Sequence, residues 1–98
     1  MRRYIRVEWR HDHPDEPVLL YSDLDDASFE VRKVEVFRDG SVGYADAHLS
    51  QGLTMLGSEP IPTLSEINAD PEFYAAEITD DEFEEVWVRA ISLSTRGN

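Results

Sequence analysis

Three histidines, His11, His13 and His48, are the side chains of this sequence most typical of chemistry. His11 and His13 lie two residues apart, so on an extended segment they project to one side, as two metal ligands do. An oxygen from Asp12 or Asp46 and a nitrogen from His48 would complete a four-ligand set for zinc. The same pair equally fits two exposed turn histidines before a proline, because His-x-His has no distinctive spacing to a third ligand. A metal site is therefore one alternative.

Nucleophilic and phosphate-binding motifs are absent from the sequence. No serine lies in a Gly-x-Ser-x-Gly pattern, no glycine-rich phosphate loop is present, and there is no cysteine. The lack of cysteine also removes disulfides and thiolate metal ligands. The 21 Asp and Glu residues are too many for one pair to be singled out as acid and base. We predict no catalytic residue and no cofactor, and the question of enzyme activity stays open.

The charge of the chain is concentrated in its second part. The net charge is −12, and the 50 residues between Arg38 and Arg89 contain twelve carboxylates and no lysine or arginine. A surface of one sign decides which partners approach, and an acidic one opposes nucleic acid, whose phosphates are bound by lysine and arginine. We therefore expect a basic protein partner, and neither a nucleic-acid nor a membrane partner.

Length and hydropathy predict one folded domain over residues 1–98. The length matches the usual size of a domain, roughly 100 residues, and the apolar residues fall in periodic runs rather than being diluted by charge. No apolar run approaches the ~20 residues of a membrane span, and the first ten residues alternate polar with apolar, unlike a signal peptide. We expect a cytoplasmic protein that is a monomer or a weak homodimer.

Period-two alternation predicts an antiparallel sheet of about four strands, at residues 4–10, 18–21, 29–38 and 42–45. Asp39-Gly40 between the last two is typical of a tight hairpin turn. Apolar residues of the third strand occur at both parities, so either both faces of the sheet are partly covered or a bulge near Arg32 and Lys33 shifts the phase. Residues 48–62 are predicted to form a loop that includes a short strand.

Two capping boxes predict where helices begin. Thr63 with Glu66, and Thr79 with Glu82, have the Ser/Thr-x-x-Glu spacing in which side chains and backbone N–H groups bond reciprocally. The first helix is short, and residues 71–74 are expected to add one more helical turn. The second begins an amphipathic helix of about three turns that packs on the sheet. The predicted fold class is α+β, with Trp9 and Trp87 expected in the core.

Segments over nearly the whole chain resemble a family of small acidic bacterial proteins, expected from actinobacteria, that is known only as a domain of unknown function. The segments are Tyr-Ile-Arg-Val-Glu-Trp at residues 4–9, Glu-Pro-Val-Leu-Leu-Tyr-Ser at 16–22, Glu-Val-Arg-Lys-Val-Glu-Val-Phe-Arg-Asp-Gly at 30–40, Ile-Asn-Ala-Asp-Pro-Glu-Phe at 67–73 and Glu-Phe-Glu-Glu-Val-Trp at 82–87. The resemblance implies a cytoplasmic single-domain protein and implies no activity, cofactor or catalytic residue. The later pattern Ile-Thr-x-x-Glu-Phe-Glu-x-x-Trp is also similar to small acidic immunity proteins of toxin systems.

The leading hypothesis is an acidic protein-binding module, of the immunity or inhibitory type, that occludes a basic partner without chemistry. The expected partner-binding residues are Glu59, Glu72, Tyr74, Asp80, Asp81, Glu84 and Glu85. The alternative is a small metal-binding protein or metal-assisted enzyme that uses His11, His13 and His48. A third possibility is a homo-oligomer assembled through strand edges.

Overall fold

Antiparallel strands and two helices form the regular structure in a computed structural model that describes residues 2–48, 50–51 and 54–96. The elements are β1 (Arg3–Trp9), β2 (Leu19–Leu24), β3 (Glu30–Val36), β4 (Val42–Asp46), β5 (Ser50–Gln51), α1 (Leu64–Asn68), β6 (Phe73–Ile78) and α2 (Asp80–Arg96). The strands form one sheet in the order β5-β4-β3-β2-β1-β6, and each neighbouring pair is antiparallel. The predicted α+β class, with a C-terminal helix and one short helix, is confirmed.

The sheet is wider than the four strands predicted. The short strand β5 falls inside the predicted 48–62 loop, and β6 adds a full strand beside β1. The prediction of a helical turn over residues 71–74 was wrong, because Phe73 and Tyr74 pair with Trp9 and Glu8 of β1. The two alanines of β6 have little intrinsic strand preference, so pairing with β1 decides its conformation. The helix α2 has 17 residues, about five turns instead of three.

Both faces of the sheet are covered, by different parts of the chain. The helix α2 packs on one face, which we call the helix face, where Phe83 and Trp87 join Val34 and Tyr44 in the core. The opposite face, which we call the groove face, holds the buried side chain of Ile5 and is covered by α1 and the segment 54–62. A bulge is also present: the register between β2 and β3 shifts so that Val31 has no partner in β2. Both alternatives drawn from the third strand are therefore correct.

The two tryptophans have different environments. Trp87 is 8% exposed and belongs to the core, as predicted. Trp9 lies at the end of β1 and is only half-buried, with its ring stacked on Phe73 at 5.8 Å. Its Nε1–H donates to Glu72 Oε1 at 3.0 Å, so this side chain closes the end of the sheet instead of filling the core.

The outer edge of β6 is partly covered within the chain. The side-chain amide of Asn68 donates to the carbonyl oxygen of Ala75 at 3.0 Å and accepts its N–H at 2.6 Å, in the positions that a further strand would occupy. The N–H of Phe73 donates to the carbonyl of Asp70 at 3.0 Å. These bonds reduce the free backbone groups that edge-to-edge assembly would use.

Local signals in the sequence fix the ends of several elements. Thr63 and Glu66 form the predicted capping box at α1. The Thr79 hydroxyl accepts the N–H of Glu82 at 3.1 Å, and the Glu82 carboxylate accepts the N–H of Thr79 at 3.0 Å. The β3–β4 turn is the predicted Asp-Gly hairpin, with Gly40 at φ +89°.

Replacing Gly40 by alanine should destabilise the fold by about 1 kcal/mol, because a Cβ disfavours positive φ. No atom beyond the two neighbouring residues lies within 4 Å of that Cβ, so the cost is conformational and not a clash. Urea unfolding measures it, with Gly40→Asn as the matched variant, since asparagine tolerates positive φ better. Equal losses for the two variants would show that backbone conformation is not the cause.

Candidate functional site

His11 is a structural residue of the β1–β2 loop. Its Nδ1 accepts the N–H of His13 at 2.9 Å, which places the ring proton on Nε2 for donation to the Pro17 carbonyl oxygen at 2.8 Å. Its ring lies 4.3 Å from that of Trp9 and 5.2 Å from that of His13. Both nitrogens of His11 thus have partners within the loop.

The structure brings two of the three histidines together and places the third elsewhere. His48 follows β4, whose last residue, Asp46, is paired with Arg32 near the start of β3, whereas His11 follows the opposite end of β1. Among residues 2–48, 50–51 and 54–96, no group of three His, Asp or Glu side chains is arranged to hold a metal ion. The metal-binding alternative stays a prediction of the sequence.

A buried carboxylate joins the sheet to α2 on the helix face. Asp23 is completely buried, and it accepts hydrogen bonds from Arg2 at 2.7 and 2.5 Å and from Arg32 Nε at 2.8 Å. The other two nitrogens of Arg32 bind the carboxylate of Glu84 on α2. The Arg32 guanidinium also lies over the ring of Phe83, 4.8 Å from its centre.

Hydrogen bonds within this cluster shift the pKa values of Arg32 and Glu84 in the direction that keeps each side chain charged. The hydrogen bonds to Glu84 and Asp23 hold the pKa of Arg32 above its usual range, against the opposing effect of burial. Hydrogen bonding to Arg32 lowers the pKa of Glu84. Each charge is satisfied by another member, so the cluster offers no free base or nucleophile and serves to fix α2 on the sheet.

The groove face contains an apolar groove of about 720 Å³. Its floor is formed by Ile5 and Val7 of β1 and by Leu20 of β2. One wall is the segment 57–62, and the other is α1 with the following turn and Phe73. A concavity of this size, apolar and with a few polar groups at its end, is where proteins usually bind ligands.

The inner end of the groove is a closed polar cluster around Glu30, whose side chain is 2% exposed. Its carboxylate accepts the Ser22 hydroxyl at 3.0 Å and the N–H of Gly57 at 2.7 Å, and lies 3.4 Å from Lys33 Nζ. A Cβ on Gly57 would come within 3.2 Å of Glu30 Oε1, so the glycine allows the backbone its close approach. Lys33 Nζ also donates to the carbonyl of Met55 at 3.3 Å.

Sequence reasoning did not find Glu30, Lys33 or Ser22. Residues three apart on a regular strand point to opposite faces, which would separate Glu30 from Lys33. The unpaired Val31 between them changes the parity and brings both onto the groove face. The signal in the sequence was the expectation of a bulge near Arg32 and Lys33, and the structure has that bulge at the adjacent Val31.

The predicted partner-binding residues are distributed over both faces of the sheet. Glu59 lines the groove, whereas Glu84 and Glu85 lie on α2. Glu85 forms the expected i,i+4 pair with Arg89 at 3.3 Å, and Glu84 is held by Arg32. The remaining four residues are exposed: Glu72, Tyr74, Asp80 and Asp81. Glu72 accepts a hydrogen bond from Trp9, and Tyr74 is 51% exposed on β6.

Every lysine and arginine from Arg2 to Arg89 contacts an oxygen of the chain. Seven contact a carboxylate, and Arg38 donates to the carbonyl of His11 at 2.5 Å. Many exposed carboxylates have no such partner. Within the described part of the chain, those without a lysine or arginine within 4 Å are Asp12, Asp15, Glu16, Asp39, Glu59, Glu66, Asp70, Glu72, Asp80, Asp81 and Glu82.

Comparison with protein families matches residues 3–92 to the family described as "Domain of unknown function (DUF6881)". Comparison with curated proteins and with solved structures gave no match. Neither described helix is long and apolar enough to cross a membrane.

Arg32→Met should destabilise the protein by about 3 kcal/mol, because it leaves Asp23 buried with Arg2 alone. The matched control is Arg89→Met, which breaks a pair of exposed side chains and should cost about 0.5 kcal/mol or less. Urea unfolding measures both. Similar losses for the two variants would mean that the buried cluster does not fix α2.

The contribution of Glu84 should depend on pH. The pKa of Glu84 is lower in the folded protein than its usual value of 4.5. The carboxylate therefore contributes fully to stability when the pH is above 4.5, and this contribution is lost as the pH falls through the pKa of the folded state. Glu84→Gln should therefore be less stable than the parent protein at pH 7, and the difference should shrink toward pH 3. A difference in urea midpoint that stays constant over this range would contradict the argument.

Proposed function

Because the chain belongs to the DUF6881 family, whose description names no activity, we propose its function from its own side chains: it is a protein-binding module that engages a basic protein partner. Binding occludes the partner and involves no chemistry on this chain. The proposal rests on one observation: every lysine and arginine from Arg2 to Arg89 contacts an oxygen of the fold, while eleven exposed carboxylates have no lysine or arginine within 4 Å in the described part of the chain.

The charge balance of the surface favours a cationic partner. Each lysine and arginine from Arg2 to Arg89 contacts an oxygen of the chain, whereas eleven exposed carboxylates of the described residues have no lysine or arginine within 4 Å, so the net charge of −12 is expressed mainly on exposed carboxylates. Complementary charge steers association and raises its rate above the roughly 10⁵–10⁶ M⁻¹s⁻¹ of unsteered protein pairs. The same field disfavours phosphate-rich surfaces, which excludes nucleic acid and anionic membranes from the proposal.

The start and outer side of α2 supply one part of the proposed surface. Asp80 and Asp81 are exposed in its first turn and have no lysine or arginine beside them in the described structure. Glu85 follows on the same side of the helix, next to Val88, which is 60% exposed. An exposed apolar side chain beside carboxylates provides contact area as well as charge.

An immunity-type or inhibitory role fits this surface. Enzymes that act on nucleic acid carry basic surfaces for phosphate, and a carboxylate-rich protein bound there would exclude the substrate. We place this activity in the bacterial cytoplasm as part of the proposal. The size of the chain is sufficient for an interface of ordinary area, which takes about 800 Å² from each partner.

Capture from a lysate of the native host tests the proposal. The immobilised protein should retain a basic protein at 50 mM salt, and association with the purified partner should slow about tenfold or more at 500 mM, because the Debye length falls as salt rises. The triple variant Asp80→Asn, Asp81→Asn, Glu85→Gln should slow association at low salt. The matched control is Asp12→Asn, Asp15→Asn, Glu16→Gln, which makes the same change of charge on the β1–β2 loop.

Two results would contradict the proposal. One is a captured partner that is acidic or neutral. The other is an association rate that is unchanged between 50 and 500 mM salt, since steering by exposed charge must weaken with screening.

A further inference from the structure

The groove on the sheet is separate from the α2 surface of the proposed function and has a different chemistry. Its floor and walls are mainly aliphatic and aromatic, with Ile5, Val7 and Leu20 below and Ile61, Ile67 and Phe73 at the sides. Its volume of about 720 Å³ lies within the ~300–1,000 Å³ typical of ligand sites. Apolar surface of this kind gains free energy when another apolar group displaces water from it.

The polar groups at the inner end of the groove already have partners within the protein. Ser22, Gly57 and Lys33 already surround the carboxylate of Glu30. Among the described residues, every buried side-chain nitrogen and oxygen has a hydrogen-bond partner. Whatever enters the groove therefore needs no charge or hydrogen-bonding group at its tip, so the inserted part is apolar.

The two walls of the groove carry carboxylates at the solvent side. Glu59 lies on the wall formed by the segment 57–62, and Glu66 and Asp70 lie on the opposite wall. All three are exposed, and none has a lysine or arginine within 4 Å in the described structure. Among the described residues that line the groove, Lys33 is the one cation, and it is engaged by Glu30. An occupant would therefore meet negative charge on both sides of an apolar centre.

We propose that this groove receives an apolar side chain from the basic protein partner, flanked in sequence by lysine or arginine residues that contact Glu59 on one wall and Asp70 on the other. This inference rests on the proposed function and names the segment that the partner presents. A protein segment fits better than a small amine, because a segment carries cations on both sides of its apolar residue. A small amine carries one charge and would satisfy one wall.

Two synthetic peptides, each N-acetylated and C-amidated, test the chemistry of the occupant. Lys-Arg-Phe-Lys-Arg should bind, with amide shifts in two-dimensional NMR spectra concentrated in β1, β2 and α1. Lys-Arg-Gly-Lys-Arg has the same charge without the apolar side chain and should bind at least tenfold more weakly, the loss expected for removing a buried aromatic group. Glu-Glu-Phe-Glu-Glu should not bind, because its charges meet the carboxylates of the walls.

Matched variants of the protein locate the binding site. Val7→Trp places a large side chain on the groove floor and should abolish the preference for the phenylalanine peptide. Val88→Trp makes the same substitution on the exposed side of α2 and should leave that preference intact. Glu59→Gln with Asp70→Asn should weaken binding at least fivefold, whereas Asp15→Asn with Glu16→Gln on the β1–β2 loop should change it less than twofold. Circular dichroism and melting temperature establish that each variant is folded.

The outcomes separate this inference from the proposed function. If all cationic peptides bind equally and Val7→Trp has no effect, the acidic surface binds basic partners but the groove does not, and the inference is wrong. If none binds, the inference about the groove is wrong, whereas the proposed function still stands or falls on capture of the partner and the salt dependence of its association. If 4-phenylbutylamine binds as tightly as the phenylalanine peptide, the groove takes a small cationic molecule, and the assignment of a protein segment is wrong.

Discussion

The extra residue that β3 inserts at Val31 determines how charge is divided between the two faces of the sheet. On a regular strand, Glu30 and Arg32 would share one face and Lys33 would point to the other. With the bulge, Arg32 lies on the helix face and pairs with Asp23, while Glu30 and Lys33 both reach the groove face. One local irregularity therefore positions the two polar clusters that attach covering segments to the sheet.

Each cluster attaches a different part of the chain. On the helix face, Asp23 and Arg32 bind Glu84 and so fix α2, whose Phe83 and Trp87 complete the core. On the groove face, Glu30 binds the N–H of Gly57 and holds the segment that becomes one wall of the groove. A buried charge is tolerated only when it is paired and hydrogen-bonded, so these positions need arginine, lysine and carboxylate together. Arg32 and Lys33, whose side chains are 19% and 15% exposed, are held within these clusters and add little positive charge to the exterior.

Local features of the sequence were predictable because they depend on neighbouring residues. The capping boxes at Thr63 and Thr79 and the turn at Gly40 each arise within four residues, and all three are present. The strand β6 was missed because its alanines carry no strand preference, and β1, more than 60 residues earlier, supplies its partner. The groove was not predictable for the same reason. Its walls come from separate segments of the chain. That Glu30 and Lys33 share the groove face can be inferred from their spacing only after the bulge is known.

The two acidic regions of the surface lie on opposite faces of the sheet. At physiological salt, exposed charges that lie farther apart than the Debye length of ~8 Å are largely screened from one another. Carboxylates at the start of α2 therefore contribute little to the potential that a cation meets at the groove. A partner that used only one face would be attracted by only part of the net charge of −12. Carboxylates are distributed over both faces of the sheet. This distribution suits a partner that reaches around an edge of the sheet, or one that makes two separate contacts, better than a single flat interface on α2.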